Sequence, residues 1–233
     1  MAGKIYLIPT PLGVGRQQNY LDTESLQIIA GIRHYIVEEE RTARRFLSSL
    51  KLSIPIPELT LHVLNEHTQP QAIAHYLDAI TDQNIGLMSE AGVPCVADPG
   101  NLIVQIAHQK GIQVIPLIGP SSIIMALMAS GMNGQNFAFN GYLPIQSKER
   151  ISRIRFFEKR SSTEHQTQIF IETPYRNGQL LNDMLEACNP TTRICIAADL
   201  SLETEYIKTL TVKDWKQNLP NIHKRPAIIL LQA

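Results

Sequence analysis

Two short segments of this chain carry residue types that let a ligand lie against bare backbone. Ser89-Glu90-Ala91-Gly92-Val93-Pro94, with Asp98-Pro99-Gly100 close behind, follows an apolar run from Ile85 to Met88. Gly119-Pro120-Ser121-Ser122 follows a second apolar run, from Ile112 to Ile118. Small side chains and proline kinks exclude regular structure there and expose amide and carbonyl groups. In an open α/β sheet such groups, beyond the carboxyl ends of the strands, are where ligands bind. Either loop alone could simply end a strand; two together favour a ligand site. A third segment, Glu38-Glu39-Glu40, runs into Arg41, Arg44 and Arg45. Carboxylates there suit a helix N-terminus, where they meet the positive end of the dipole, so capping competes with a chemical role. His67 could be a ligand, a base or a surface residue. Apart from His62 it has no His or Cys partner at metal spacing, so no metal centre is expected.

The elements that must position these residues follow from the apolar pattern. Lys4 to Pro9 reads as a strand that stops at Thr10-Pro11-Leu12-Gly13, since proline cannot donate to a ladder. Helix-like segments at Thr23–Gly31 and Pro70–Ile80 alternate with strands at His34–Val37, Leu59–Leu64 and Ile85–Met88. A helix to Gly111, a strand at Ile112–Ile118 and a helix at Ser122–Ala129 continue the series. That alternation is the signature of a parallel sheet with crossover helices. Gly13-Val14-Gly15 starts like a dinucleotide fingerprint, but Gln18 stands where its third glycine belongs, so a Rossmann dehydrogenase is disfavoured.

In the second half, strands are expected at Phe137–Asn140, Gln168–Glu172, Arg193–Ala198, Glu205–Leu210 and Ala227–Leu231. Helices are expected at Lys148–Lys159, Gly178–Cys188 and Val212–Gln217, and Gly141-Tyr142-Leu143-Pro144 reads as an interdomain connection. Adjacent strands favour a mixed sheet. The expectation is an α/β protein of two domains, residues 1–118 and 119–233, with a ligand cleft between them.

Composition narrows the function. Lysine plus arginine equals aspartate plus glutamate, 21 each, so a generally basic nucleic-acid binder is excluded and any RNA must be met by a local patch. The three cysteines, Cys95, Cys188 and Cys195, include no CxxC pair, which argues against a disulfide framework or zinc knuckle and fits a reducing cytoplasm. MAGKIYLIPTPLG does not read as a signal peptide, and no stretch approaches the ~18 apolar residues of a membrane span, so no membrane partner is expected.

Taken in order, several motifs resemble one known group. They are Pro9-Thr10-Pro11-Leu12-Gly13, the acid-rich segment from Glu38 to Leu47, Glu66-His67, and Ser89-Glu90-Ala91-Gly92-Val93-Pro94 with Ala97-Asp98-Pro99-Gly100. Gly119-Pro120-Ser121-Ser122, Gly141-Tyr142-Leu143-Pro144, Glu172-Thr173-Pro174-Tyr175-Arg176 and Ala197 complete the set. The chain resembles the tetrapyrrole methylase superfamily of S-adenosylmethionine (SAM)-dependent methyltransferases. Within it, it most resembles the branch that methylates the ribose 2′-hydroxyl of a cytidine in small-subunit ribosomal RNA. The resemblance implies two α/β domains, SAM in the cleft between them, a homodimer, and ribosomal RNA or the small ribosomal subunit as partner.

Carried over by position, the resemblance places SAM contacts at Leu12, Gly92, Val93, Val96, Ser121 and Ser122, and at Thr173, Ala197 and Ala227. The sulfonium brings its own reactivity, so the protein has mainly to hold the methyl carbon in line with the acceptor. A hydroxyl acceptor must also lose its proton, and Glu38, Glu39, Glu66, His67 and Asp98 are the candidate bases. Arg41, Arg44 and Arg176 are the candidate phosphate contacts, against a solvated helix face as the alternative.

The chain departs from the branch in places. Glu39-Glu40-Arg41-Thr42 stands for the usual Asp-Thr-Arg-His, and Ala197-Ala198-Asp199-Leu200-Ser201-Leu202 for Ala-Arg-Glu-Leu-Thr-Lys. Val93 stands for a threonine, and the last strand lies close to Ala233, where longer members continue into a helical extension. The missing cations thin the basic surface that RNA needs. They keep open a methyltransferase of a small molecule such as a tetrapyrrole, and a SAM-binding protein without catalysis.

Overall fold

The computed structural model describes residues 3–13, 20–65, 68–69, 73, 75–77 and 82–233. The chain divides into two units, Met1–Ser121 and Ser122–Ala233.

The first unit is built on β1 (Ile5–Leu7), β2 (His34–Val37), β3 (Thr60–Val63), β4 (Ile85–Met88) and β5 (Val114–Pro116), in the spatial order β3-β2-β4-β1-β5. All four neighbouring pairs are parallel. Its helices are α1 (Thr23–Ala30), α2 (Glu40–Ser49) and α3 (Gly100–Gln109). Successive strand residues point to opposite faces. Tyr6, Ile8, Tyr35, Val37 and Met88 pack with the buried side chains of α1 and α2. Ile5, Ile36, Ile85 and Leu87 pack with Ile103 and Ala107 of α3. The strands are therefore apolar on both sides, as a parallel sheet covered on two faces requires.

The strand order places β4 between β2 and β1. The connection leaving β2 runs outward to β3, and the one leaving its neighbour β4 runs the other way, past β1 to β5. Adjacent strands whose connections diverge define the topological switch point, the crevice where ligands of such sheets bind. Of the helix expected at Pro70–Ile80, the described residues Ile73, His75 and Tyr76 are helical.

The second unit contains α4 (Ser122–Ser130), β6 (Phe137–Phe139), α5 (Ser147–Glu164), β7 (Thr167–Glu172), α6 (Asn177–Ala187), β8 (Arg193–Ala198), β9 (Tyr206–Thr211), α7 (Val212–Trp215) and β10 (Ala227–Gln232). The strands order as β6-β7-β10-β8-β9, with β6 and β7 parallel and the other neighbours antiparallel. Phe157 and Ile154 of α5, Leu180 and Met184 of α6, and Trp215 close one face over Phe170 and Ile196. Gly141–Pro144 does not connect the two units, as its composition suggested. It lies inside the second, between β6 and α5, and Leu143 is part of that unit's core. Arg150 of α5 is buried there and donates through Nε to Asp183 at 2.6 Å and through Nη1 to the carbonyls of Pro144 and Ile145. The segment is fastened by the helix that follows it. Among the described residues no helix is long and apolar enough to cross a membrane, and no cluster of His, Cys, Asp or Glu could hold a metal ion.

Candidate functional site

Three loops leave the carboxyl ends of β1, β4 and β5 and are tied to one another. Thr10 and Gly92 exchange backbone hydrogen bonds at 2.9 and 3.1 Å, and the Thr10 hydroxyl donates to the Ser89 carbonyl at 3.3 Å. Gly92 has φ +77°, and a Cβ built there would lie 3.1 Å from Leu12 Cδ2 and 3.3 Å from the Pro120 carbonyl. Leu12, Gly92 and the turn before Ser121 are thus contiguous, although 108 residues separate Leu12 from Pro120 in sequence. Val96 and Ala97, farther along the β4 loop, are exposed.

That loop holds an unusual backbone. Cys95 and Ala97 have φ of +70° and +67°, a conformation side chains disfavour and one that persists only where the surroundings enforce it. Asp98 does the enforcing. Its Oδ1 accepts the Gly100 amide at 2.8 Å, and its carboxylate also takes backbone bonds from Cys95 and Val96. The other oxygen, Oδ2, is buried and has no hydrogen-bond partner among the described residues. Burial raises the Asp98 carboxyl above the usual range, with the backbone bonds opposing it. Burial, reinforced by the Asp98 charge, pushes the Cys95 thiol up to about 12, so it is not a thiolate nucleophile at neutral pH.

Glu38, at the end of β2, faces the same region. Its Oε2 accepts the Glu90 amide at 3.1 Å, and Oε1 makes no hydrogen bond among the described residues. Burial raises its pKa first, and the carboxylates of Asp98 and Glu90 add to the rise against the Glu90 amide. Glu38, Asn65, Cys95, Asp98 and Asn101 line an open cleft of about 690 Å³. Of the expected bases, then, Glu38 and Asp98 are brought together. Glu39 is not one of them. It is the N-cap of α2, its carboxylate accepting the amides of Arg41 and Thr42 at 2.9 and 2.7 Å. Glu40 pairs with Arg44 one turn on. Glu66 and His67 lie outside the described residues.

The three arginines meet different fates. Arg41 is exposed on the first turn of α2. Arg44 is occupied, donating to Glu40 at 2.8 Å and to the Ile56 carbonyl at 3.2 Å. Arg176 pairs with the buried Glu172. In the second unit, Ala227 faces both Glu172 and Ala198 across the sheet, and Ile228 faces Ala197. Thr173, Ala197 and Ala227 therefore gather at one end of that sheet. Ala197 and Ala227 are buried within the sheet.

Some contributors escaped the sequence reading. A second, smaller cavity of about 150 Å³ opens between the β1 loop, the β4 loop and α2, lined by Thr10, Leu12, Thr42, Phe46, Ser89 and Glu90 among others. Thr42 and Phe46, one helical turn apart, fall within the Glu38–Leu47 segment but are not among the expected site residues. Only the strand order brings α2 beside residues 89–91.

The chain matches the family of tetrapyrrole (corrin/porphyrin) methylases over residues 24–215. It is 30% identical over 232 residues to the ribosomal RNA small subunit methyltransferase I of Vibrio cholerae, covering 98% of this chain and 77% of that protein. The Xylella fastidiosa protein of the same name is 30% identical over 234 residues, with 99% and 82% covered. Among solved structures, the methyltransferase CobJ superposes with a TM-score of 0.63 at 18% identity, covering 99% of this chain and 94% of that one. A uroporphyrin-III-C-methyltransferase from Thermus thermophilus gives 0.57 at 19% identity, covering 99% and 92%. At those identities the likeness is one of fold.

Proposed function

The chain belongs to the tetrapyrrole (corrin/porphyrin) methylases, and from that premise we propose that this SAM-dependent methyltransferase methylates small-subunit ribosomal RNA at the ribose 2′-hydroxyl of a cytidine. The observation that carries the reading is the near full-length match to relatives named for methylation of that RNA. SAM is the methyl donor of the family. The residues present suit it: a buried Asp98 oxygen with no hydrogen-bond partner among the described residues fits a ligand bearing hydroxyl and cationic groups, and exposed Val96 and Ile118 offer apolar surface to a planar base. Leu12, Gly92, Val93, Val96 and Ser121 of the first unit would contact the donor.

The donor supplies an electrophilic methyl group. The chain's own task is to orient the acceptor oxygen and receive its proton. Glu38 is the proton acceptor in this reading: Oε2 is held by the Glu90 amide, while Oε1 makes no hydrogen bond among the described residues. A carboxyl whose pKa is raised toward working pH is a better base than an ordinary one. Asp98 acts beside it by holding the strained β4 loop in shape. Arg41, exposed on the first turn of α2, would contact phosphate. The enzyme is proposed to work in the cytoplasm as a homodimer, which sedimentation of the purified protein tests.

The balanced charge favours a second reading, methylation of an uncharged or anionic small molecule such as a tetrapyrrole. One experiment separates them. Purified protein is incubated with methyl-labelled SAM and small ribosomal subunits from cells lacking this protein. The expected result is label at a single cytidine in a linkage that resists alkaline cleavage. No transfer to RNA, or transfer to a base atom, refutes the proposal.

A further inference from the structure

The 150 Å³ cavity between the β1 loop, the β4 loop and α2 lies outside the cleft that holds Glu38 and Asp98, yet residue 90 belongs to both neighbourhoods. Its backbone amide holds Glu38 Oε2, and its side chain lines the small cavity. Whole small-molecule ligands occupy pockets of roughly 300–1,000 Å³, so this one suits a fragment such as a single ring. Its walls are apolar, formed by Pro11, Leu12, Ala43 and buried Phe46. Thr42, Ser49, Ser89, Arg45 and Glu90 add polar groups to the lining, the hydroxyls of Thr42, Ser49 and Ser89 donating to the carbonyls of Glu39, Phe46 and Ala91. Thr42 Oγ1 lies 3.5 Å from Glu90 Oε1, and α2 carries Thr42 on the turn that Glu39 caps, so the carboxylate has a fixed neighbour.

An apolar slot with an aromatic wall, a carboxylate acceptor and a guanidinium donor matches an unstacked nucleobase. Enzymes that act on single nucleotides read such bases by contacts to the Watson–Crick edge between apolar or aromatic side chains. A carboxylate is the standard acceptor for the exocyclic amine of cytosine, and a guanidinium such as that of Arg45 can donate to its N3 and O2. Uracil presents a carbonyl where cytosine presents that amine, and Glu90 would repel it.

We propose that this cavity is the subsite for the pyrimidine base of the acceptor nucleotide, with Glu90 selecting cytosine while the ribose is presented to Glu38. The assignment rests on the RNA-methylating reading above and extends it from the reaction to the recognition of one base.

The test uses the full chain with labelled SAM and two RNA substrates, one with cytidine and one with uridine at the target position. Glu90→Gln keeps the backbone amide that holds Glu38 but replaces an acceptor-only group with one that can donate. It should lower kcat/KM on the cytidine RNA by about tenfold to hundredfold and narrow or reverse the preference over uridine, with SAM affinity unchanged. Ser49→Leu, at the mouth of the cavity on the last turn of α2, should raise KM for RNA without altering SAM binding. Wild-type rates and base preference in both variants overturn the proposal while leaving the RNA-methylating reading intact. Loss of SAM affinity in either variant assigns the cavity to the cofactor and overturns it as well. A wild-type protein that binds SAM but never methylates RNA overturns both readings.

Discussion

Replacing Gly119 with alanine tests how tightly the three rim loops depend on one another. A Cβ at this position would sit 2.1 Å from Pro9 Cγ and 2.3 Å from Pro9 Cβ. Carbon atoms rest comfortably at ~3.5–4.0 Å, so one partner must withdraw by about 1.5 Å. Pro9 cannot yield easily: it is buried, and its carbonyl accepts the Tyr20 hydroxyl at 3.3 Å. Its chain neighbour Thr10 carries the bridge to Gly92, so a displaced Pro9 drags the β4 loop with it. Overpacking of this kind costs about 1–3 kcal/mol. For a chain of this size each kcal/mol lowers the melting temperature by roughly 2–4 °C, and misplacement by ~1 Å can cost about a hundredfold in rate. Calorimetric melting, SAM titration and single-turnover methyl transfer measure the three effects separately. Gly134→Ala is the control, because its Cβ would meet nothing within 4 Å, and it should shift none of them. A Gly119→Ala protein with wild-type melting, affinity and rate would refute the claim that the β1 and β5 loops are locked at this contact.

Glu38→Gln should remove the acidic limb of the pH–rate profile, since wild-type activity falls as Glu38 is protonated below its raised pKa; a mutant that keeps that limb assigns the base elsewhere. The same substitution bears on stability with a defined sign. A carboxyl whose folded pKa is raised favours the folded state in its neutral form, fully below the unfolded value of about 4.3, and loses that contribution as pH rises through the folded pKa. Glu38→Gln should therefore melt above wild type at pH 7 and lose the advantage near pH 4. Arg150→Ala leaves Asp183 buried without its main partner and strips donors from two carbonyls; urea denaturation should show a loss of about 3–5 kcal/mol. Trp215→Phe removes the indole N–H that the Ile194 carbonyl accepts at 2.9 Å; a loss of about 0.5–1.5 kcal/mol is expected in the same assay, and none would mean water replaces the bond.

Within each unit, local patterning carried far. β2 and β4 fall on the apolar runs His34–Val37 and Ile85–Met88, and β8 and β9 pair as their closeness in sequence implied. These elements were legible because alternation and turn residues act over a few neighbours. The site was legible only as separate motifs. Glu39 and Glu38 are adjacent and identical, yet one closes a helix end and the other reaches across to residue 90. Neither role can be read from residue type, because it depends on what stands at the far end of a contact spanning 52 residues.

The sequence by itself determined the elements, the kinked rim loops and, through motifs in a known order, the family and its methyl donor. Tertiary structure decided which rims meet. Parallel strands buried on both faces are all similarly apolar, so composition does not reveal that β4 inserts between β2 and β1. That insertion brings Thr10 to Gly92, Glu38 to Glu90, and α2 to the small cavity. Side-chain identity sets what each loop can do, and strand order sets what it does it to.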